Sequence, residues 1–259
     1  MEGRLSLLVV EGLAYEVGSE QQRTDLNGAF RYEEAQSLVF SIGDIQLPSF
    51  TVKPNITPFD IGGPSDTDNR IAVNVTRLLL AIDEDGNPNN GIRVGDTAHA
   101  MGAEMSVDFA SDNFDSDVAN FVSNSGSSLA VLPSTSEALR YLVQQMGYTD
   151  NCAEHPKSGE MAEFQTRSHG VSGTVTVIDS CLLLVTHFSY DGGGLPDVYF
   201  YTGPEGDFSA GRLFGDNLYG RVFEDEHFLQ RIPLTALNEL DGVSIWCVGV
   251  GVSFGDGLF

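Results

Sequence analysis

Apolar and polar residues alternate along the chain between residues 5 and 52. This period of two is typical of strands that bury one face of a sheet. The dipeptide Asn27-Gly28 between the two alternating stretches marks a tight turn. We therefore predict a small β-sandwich-like module over residues 1–54. The alternating positions are Leu7, Val9, Leu13 and Tyr15, followed by Leu38, Phe40 and Ile42.

The pattern changes to helical spacing over residues 55–147. Apolar residues recur there at i, i+3, i+4 and i+7, which predicts amphipathic helices. Gly86 and Pro88 end the first helix, and Ser134 with Glu137 forms a capping box before the last one, which stops at Gly147. The apolar stripes are Val75, Leu78, Leu79 and Ile82; Val118, Phe121 and Val122; and Leu139, Leu142, Val143 and Met146.

A polar stretch precedes a second set of strands. Residues 148–168 contain Pro156 and Gly159 and few apolar residues, which predicts a linker. Alternation returns from residue 169 and is clearest between Trp246 and Phe254, where we predict one unbroken strand. The predicted fold class is therefore mainly β with a helical segment: an N-terminal β-sandwich-like module and a C-terminal β-sandwich over residues 169–259.

The net charge of the chain limits the classes of molecule that it can bind. The 259 residues carry a formal net charge of −24, shared almost equally by three consecutive segments rather than concentrated in a tail. Such a surface repels phosphate backbones, which argues against nucleic-acid binding. The longest early apolar run, Leu5 to Val10, is too short to span a membrane. We predict a mature or trimmed protein of an external, cation-rich medium: extracellular, at the cell surface or periplasmic.

The C-terminal part resembles the DM13 domain. The resemblance implies an all-β module of secreted or membrane-attached proteins, with a suggested redox or cytochrome-like role for a Cys in the last strand, here Cys247. The residues that carry it run from His169 to Val175, from Phe188 to Phe200, from Leu240 to Cys247 and from Val252 to Gly255.

The N-terminal part is similar to bacterial cell-envelope proteins with a transthyretin-like or carboxypeptidase-regulatory-like β-module. The similarity implies a released or trimmed product, because the lipobox Cys of many such proteins is missing. The matching segments are Val10 to Tyr15, Thr24 to Phe30, Phe40 to Gly43, Ile56 to Asp60, Asn74 to Leu79 and Asp83 to Pro88.

Oxygen-bearing side chains alternate in one short loop. Asp83, Asp85, Asn87 and Asn89 follow the spacing of the first half of an EF-hand loop, with Gly86 allowing the chain to curl. The bidentate Glu of a full EF-hand is absent, so more distant oxygens such as that of Asp96 would complete a calcium site. The alternative is a turn rich in Asx residues that needs no ion.

The three cysteines suggest two incompatible chemistries. Cys181 and Cys247 both lie in predicted strands of the DM13-like region, and we expect a disulfide between them, which would place the protein outside the cytosol. Alternatively, Cys247 stays a thiol or a haem ligand, and His169 or His187 joins the site. Hydrogen-bonded structural roles suit these histidines better. Cys152 is then left as an exposed thiol or forms an intermolecular disulfide.

Two functions follow from these features. The preferred one is a non-enzymatic structural or adhesive protein of the cell surface, stabilised by calcium and a disulfide, whose partner is another copy of itself or another surface. The absence of Gly-x-Ser-x-Gly and His-Glu-x-x-His motifs supports it. The alternative is an extracellular electron-transfer module that uses Cys247, with haem as a possible cofactor.

Overall fold

A computed structural model describes residues 1–17, 20–33, 37–150, 152–238 and 240–259. The chain divides into two compact units, Met1–Gln145 and Met146–Phe259. Residues on both sides of the predicted boundary at residue 54 belong to the first unit, where Asn55 pairs with Arg4 in a parallel ladder. Among the described residues, no helix is long and apolar enough to cross a membrane.

The first unit combines small sheets with helices. The strand orders are β10-β1-β5, β11-β2, β4-β3-β7-β8 and β6-β9. Its strands are β1 (Glu2–Leu5), β2 (Val10–Glu11), β3 (Ala14–Val17), β4 (Glu20–Arg23), β5 (Ala29–Arg31), β6 (Ser37–Leu38), β7 (Phe40–Ile42), β8 (Ile45–Gln46), β9 (Phe50–Thr51), β10 (Asn55–Ile56) and β11 (Ile92–Arg93). Its helices are α1 (Pro58–Gly62), α2 (Arg70–Ala81), α3 (Asp96–Met101), α4 (Phe114–Asn124) and α5 (Thr135–Gln145), with a 3₁₀ turn at Pro88–Asn90.

The predicted apolar stripes form the buried faces of α2, α4 and α5, except that Ile82 directly follows α2 and that Met146 lies beyond α5 and is not buried. The capping box of α5 is confirmed, since Ser134 N–H donates to Glu137 Oε2 at 2.7 Å and Glu137 N–H donates to Ser134 Oγ at 3.3 Å. A polar link accompanies the apolar packing. The buried Arg77 of α2 donates through both terminal nitrogens to Asp115 of α4, at 2.8 and 2.9 Å.

The second unit is built from two antiparallel sheets. Their strand orders are β12-β14-β15-β18 and β13-β20-β19-β16-β17. The strands are β12 (Met161–Glu163), β13 (Gln165–Thr166), β14 (Ser172–Asp179), β15 (Leu182–Tyr190), β16 (Val198–Thr202), β17 (Leu213–Phe214), β18 (Phe223–Arg231), β19 (Gly242–Cys247) and β20 (Val252–Leu258). A short helix, α6 (Leu234–Leu237), precedes β19, and 3₁₀ turns occupy Pro204–Gly206 and Phe208–Ala210.

One apolar core lies between these two sheets. Both contribute buried residues to it, among them Phe188 from the four-stranded sheet and Phe200 from the five-stranded sheet, whose ring centroids are 5.7 Å apart. Such aromatic pairs add to the burial of apolar area. The predicted class, mainly β with a helical segment, is confirmed.

Two segments differ from their sequence predictions. Part of the predicted linker belongs to the sheets, because β12 pairs with β14 and β13 pairs with β20. The predicted unbroken strand from Trp246 to Phe254 is a hairpin instead. Residues 248–251 form its turn, in which Gly251 adopts a φ of +66°, and Val250 is exposed rather than packed. Alternation over this stretch does not reflect a buried face.

Candidate functional site

The cysteines do not pair as predicted. The disulfide joins Cys152 to Cys181, with Cα atoms 6.2 Å apart, and Cys247 is a free buried cysteine. Cys181 lies in the turn before β15, whereas Tyr190 at the far end of that strand lies near Cys247. An eight-step strand is roughly 26 Å long, so Cys181 and Cys247 are too far apart to bond. Cys152 is therefore neither a free thiol nor available for an intermolecular bridge.

Polar groups surround the observed disulfide. Tyr148 Oη donates to Asp179 Oδ2 at 2.8 Å, and the backbone N–H of Cys181 donates to Asp179 Oδ1 at 3.0 Å. Burial, followed by the hydrogen bond to Asp179, raises the pKa of Tyr148 to about 12. These contacts fasten residues of the predicted linker to the β14–β15 turn.

Cys247 is the last residue of β19 and is 0% exposed. Its neighbours across the sheet are Val198 of β16 and Val252 of β20. Cys247 is therefore a free cysteine held in the apolar core, at one end of the sandwich.

Tyr190, the last residue of β15, interacts electrostatically with Cys247. Its hydroxyl donates to the carbonyl oxygen of Gly193. Burial is the main cause that raises the pKa of Tyr190 to about 12, and the charges of Asp191, Cys247 and Tyr219 add to it. Tyr219 is 45% exposed. Tyr190 thus interacts electrostatically with the buried Cys247 and with the exposed Tyr219.

His169 lies at the same end, in contact with the neighbours of Tyr190. Its Nδ1 is 3.0 Å from Asp191 Oδ1, and its carbonyl oxygen accepts the N–H of Asp191 at 3.1 Å. Gly193 makes room for the ring, since a Cβ there would lie 2.4 Å from Nδ1. The His169 ring also packs against Phe254, with centroids 4.3 Å apart. His169 is fixed by backbone and ring contacts on several sides.

This end of the sandwich falls within a segment that has known relatives. Residues 163–258 match the family described as Electron transfer DM13. We call this segment the DM13 region. The sequence resemblance is thereby confirmed for the C-terminal part. The matched residues all lie in the second unit, so the transthyretin-like similarity of residues 1–54 stays a prediction.

The chain is also similar to two curated proteins of Drosophila melanogaster. It is 32% identical over 114 residues to Protein Skeletor, isoforms B/C, and to Protein Skeletor, isoforms D/E. The match covers 40% of this chain but only 14% and 8% of those proteins. The chain therefore spans a small part of the curated relatives that it matches. No solved structure matches it.

The donor set of the DM13 region does not fit a haem iron or a copper ion. Cys247 is buried in the apolar core, and the contact of His169 Nδ1 with Asp191 leaves only Nε2 of that ring as a ligand atom. Among the described residues, one group of three or more His, Cys, Asp or Glu side chains lies close enough together to hold an ion, namely Cys152, Asp179 and Cys181, and both of those sulfurs belong to the disulfide. Cys247 and His169 therefore share one end of the sandwich without forming a metal-ligand set.

His187 occupies a separate polar cluster in an irregular part of β15. The pairing of β15 with β18 shifts register between Val185 and Phe188, and His187 adopts a φ of +52°. Its Nδ1 lies 2.6 Å from Asp225 Oδ1, and its N–H donates to His227 Nδ1 at 3.1 Å. His187 belongs to this network rather than to the Cys247 site.

The predicted calcium ligands lie in the first unit, directly after α2. Asp83 is buried, whereas Asp85, Asn87 and Asn89 are exposed in the following turn. The carboxylate of Asp96, the more distant ligand considered from the sequence, pairs with Arg23 at 2.7 Å.

Sequence reasoning selected Cys247 and His169 but missed Tyr190 and Tyr219. In the sequence, Tyr190 was only one residue of the segment from Phe188 to Phe200 that carries the DM13 resemblance. The available signal was its position at the end of an alternating apolar stretch, followed at once by Asp191 and three glycines. Such a residue closes a strand next to a turn, where it can meet the end of another strand.

Proposed function

We propose that the DM13 region transfers electrons one at a time through Cys247, Tyr190 and Tyr219. The observation that carries this proposal is the free cysteine Cys247, fully buried and interacting with Tyr190 in a segment that matches an electron-transfer family. A disulfide at Cys247 would have removed the thiol, and the observed bond uses Cys152 and Cys181 instead. This outcome favours the redox hypothesis over the structural one.

The buried site favours transfer of an electron together with a proton. Creating a charge in an apolar core is costly. A thiol or phenol there therefore transfers an electron and a proton together, as a hydrogen atom, more easily than it forms an ion. Once Tyr219 has been oxidised at the surface, its tyrosyl radical takes a hydrogen atom from Tyr190 and becomes a phenol again. The Tyr190 radical then takes a hydrogen atom from the thiol of Cys247, which leaves a thiyl radical there. No net charge is created in the core by either step.

Tyr219, the exposed end of this pathway, exchanges the electron and the proton with the surroundings. Tyr219, which is 45% exposed, releases a proton to water when it loses an electron to an external one-electron acceptor, such as an oxidised metal centre of a partner protein. Reduction reverses these steps. The pKa of about 12 keeps Tyr190 protonated at neutral pH, so its proton is available to move with the electron.

We further propose that the protein works outside the cytosol, in an extracellular or periplasmic compartment. The Cys152–Cys181 disulfide supports this location, since such bonds persist in oxidising surroundings. An adhesive or self-assembling role stays a prediction that the described contacts do not test.

The experiment oxidises the protein at its surface and follows the radical. A photogenerated one-electron oxidant is applied to the full chain, and freeze-quench electron paramagnetic resonance records tyrosyl and thiyl signals. We expect the wild type to carry oxidation to Cys247, and Tyr190→Phe to slow this step at least tenfold. Tyr199→Phe, on β16, serves as the matched control and should behave as the wild type.

Three results would contradict the proposal. The first is oxidation of Cys247 at the same rate in the wild type and in Tyr190→Phe. The second is no oxidation of Cys247 in the wild type. The third is a Soret band in the visible spectrum of natively purified protein, which would show a haem and replace the thiol and phenol pathway.

A further inference from the structure

A buried carboxylate lacks a hydrogen-bond partner on one oxygen in the first unit. Asp83 follows α2 and is 0% exposed. Its Oδ1 accepts the backbone N–H of Arg93 at 2.9 Å, whereas the buried Oδ2 has no hydrogen-bond partner among the described residues. A buried ionised carboxylate left in this state is costly, so a proton or a cation has to compensate its charge.

A second carboxylate increases this need. Burial, followed by the charge of the neighbouring Asp85, raises the pKa of Asp83. Asp85 is stabilised as an anion, since hydrogen bonds from Asn90 and Asn87 lower its pKa. The guanidinium of Arg93 pairs with Glu84, its Nε lying 3.1 Å from Oε2, and does not hydrogen-bond to Asp83.

The chain curls around these two carboxylates. Gly86 adopts a φ of +68°, which lets the turn reverse after Asp85. Asp85 Oδ1 accepts the N–H of Asn87 at 2.8 Å, and Oδ2 accepts Nδ2 of Asn90 at 2.8 Å. The 3₁₀ turn at Pro88–Asn90 follows in the same loop, and Asn89 within it is exposed. The loop therefore offers oxygen ligands and contains neither His nor Cys.

We propose that this loop binds one calcium ion, with the carboxylates of Asp83 and Asp85 as its anionic ligands. Oxygens of Asn87 and Asn89 and water complete the coordination. Calcium suits a flexible set of six to eight oxygens, whereas magnesium demands strict octahedral geometry. Unlike the sequence hypothesis, this ligand set excludes Asp96, which is committed to Arg23.

The ion stabilises the first unit by joining elements that are distant in sequence. Asp83 bridges to Val94 directly after β11, and Tyr141 of α5 donates its hydroxyl to the carbonyl oxygen of Pro88 at 3.2 Å. Fixing the loop between them therefore holds α2, β11 and α5 together. This role is independent of the electron transfer proposed for the DM13 region.

The test measures calcium binding and thermal unfolding of the full chain. The protein is stripped with chelator and titrated with CaCl₂ by calorimetry in 150 mM KCl, because the net charge of −24 attracts cations non-specifically at low salt. We expect one bound Ca²⁺. At a hundredfold excess over Kd, we expect Tm of the first unit to rise by roughly 5–10 °C.

Two substitutions and a matched control locate the site. Asp83→Asn and Asp85→Asn should each abolish binding and the rise in Tm. Asp25→Asn should retain both, because Asp25 lies in another Asx turn of the same unit, where its Oδ1 already accepts the N–H groups of Asn27 and Ala29 at 2.8 Å. If Asp83→Asn does not fold, calcium binding by Asp85→Asn decides the test, because Asp85 is exposed and its substitution leaves the core intact.

Unchanged binding in Asp85→Asn would overturn the proposal, since the ion would then sit elsewhere on the acidic surface. The proposal would also be overturned if the wild type neither binds Ca²⁺ nor becomes more stable with it. In that case, an Asp83→Asn variant with the wild-type Tm would identify a buried proton as the charge that compensates Asp83. None of these results affects the radical experiment on Cys247.

Discussion

Two buried tyrosines make the second unit sensitive to alkaline pH. Burial raises the pKa of Tyr190 and of Tyr148 to about 12, against about 10 for an unfolded tyrosine. Below pH 10 both states keep the proton, so stability is unaffected. Between pH 10 and 12 the unfolded state loses it first, and each tyrosine lowers the free energy of unfolding by about 1.4 kcal/mol per pH unit.

Urea unfolding at a series of pH values checks this expectation. The free energy of unfolding should fall less steeply above pH 10 in Tyr190→Phe than in the wild type. The two proteins should keep a constant difference between pH 7 and 9, where neither state ionises at this residue. Equal slopes above pH 10 would show that Tyr190 does not hold its proton in the native state.

Individual residues also show how much of the candidate sites could be predicted from the sequence. Cys247 and the acidic loop could be selected from residue type and spacing alone. That Tyr190 interacts with Cys247, 57 positions further along, depends on which strands meet at that end of the sandwich. The orphaned Oδ2 of Asp83 equally depends on burial, which spacing does not reveal.

At the scale of secondary-structure elements, the disulfide and the last hairpin show why local sequence patterns led to wrong predictions. Cysteine spacing cannot select a pairing, because the bond depends on which turns and strand ends meet. Alternating valines before and after a tight turn match the pattern of one long strand, yet Val248, Val250 and Val252 are all exposed. Helix stripes were more dependable, since their spacing extends over several turns.

The hairpin turn gives a matched pair of glycine substitutions. Gly251 has a φ of +66° and open space around its missing Cβ, so Gly251→Ala costs backbone strain alone, about 1 kcal/mol. Gly249 has no such φ, and a Cβ there meets Leu195 at 3.3 Å. Denaturant unfolding of both variants separates the two causes. A neutral Gly251→Ala, with Gly249→Ala destabilised, would show that contact rather than backbone geometry limits this turn.

The whole chain carries far more acid than base, 37 Asp and Glu against 13 Lys and Arg. Several of its arginines are in exposed ion pairs, such as Arg23 with Asp96 and Arg231 with Asp150. Exposed pairs contribute little, about 0–1 kcal/mol each. Repulsion among the excess carboxylates is therefore the dominant long-range electrostatic effect.

Salt should consequently stabilise the protein. At 0.5 M salt the screening length is well below the roughly 10 Å found at 0.1 M, so repulsion between surface carboxylates weakens more than the close pairs do. We expect Tm to rise as NaCl increases from 10 mM to 0.5 M with chelator present, which keeps calcium out of the comparison. Choline chloride should act equally if screening is the cause. A falling Tm would mean that the close ion pairs outweigh the repulsion, and a rise with sodium alone would mean that the acidic surface binds that ion specifically.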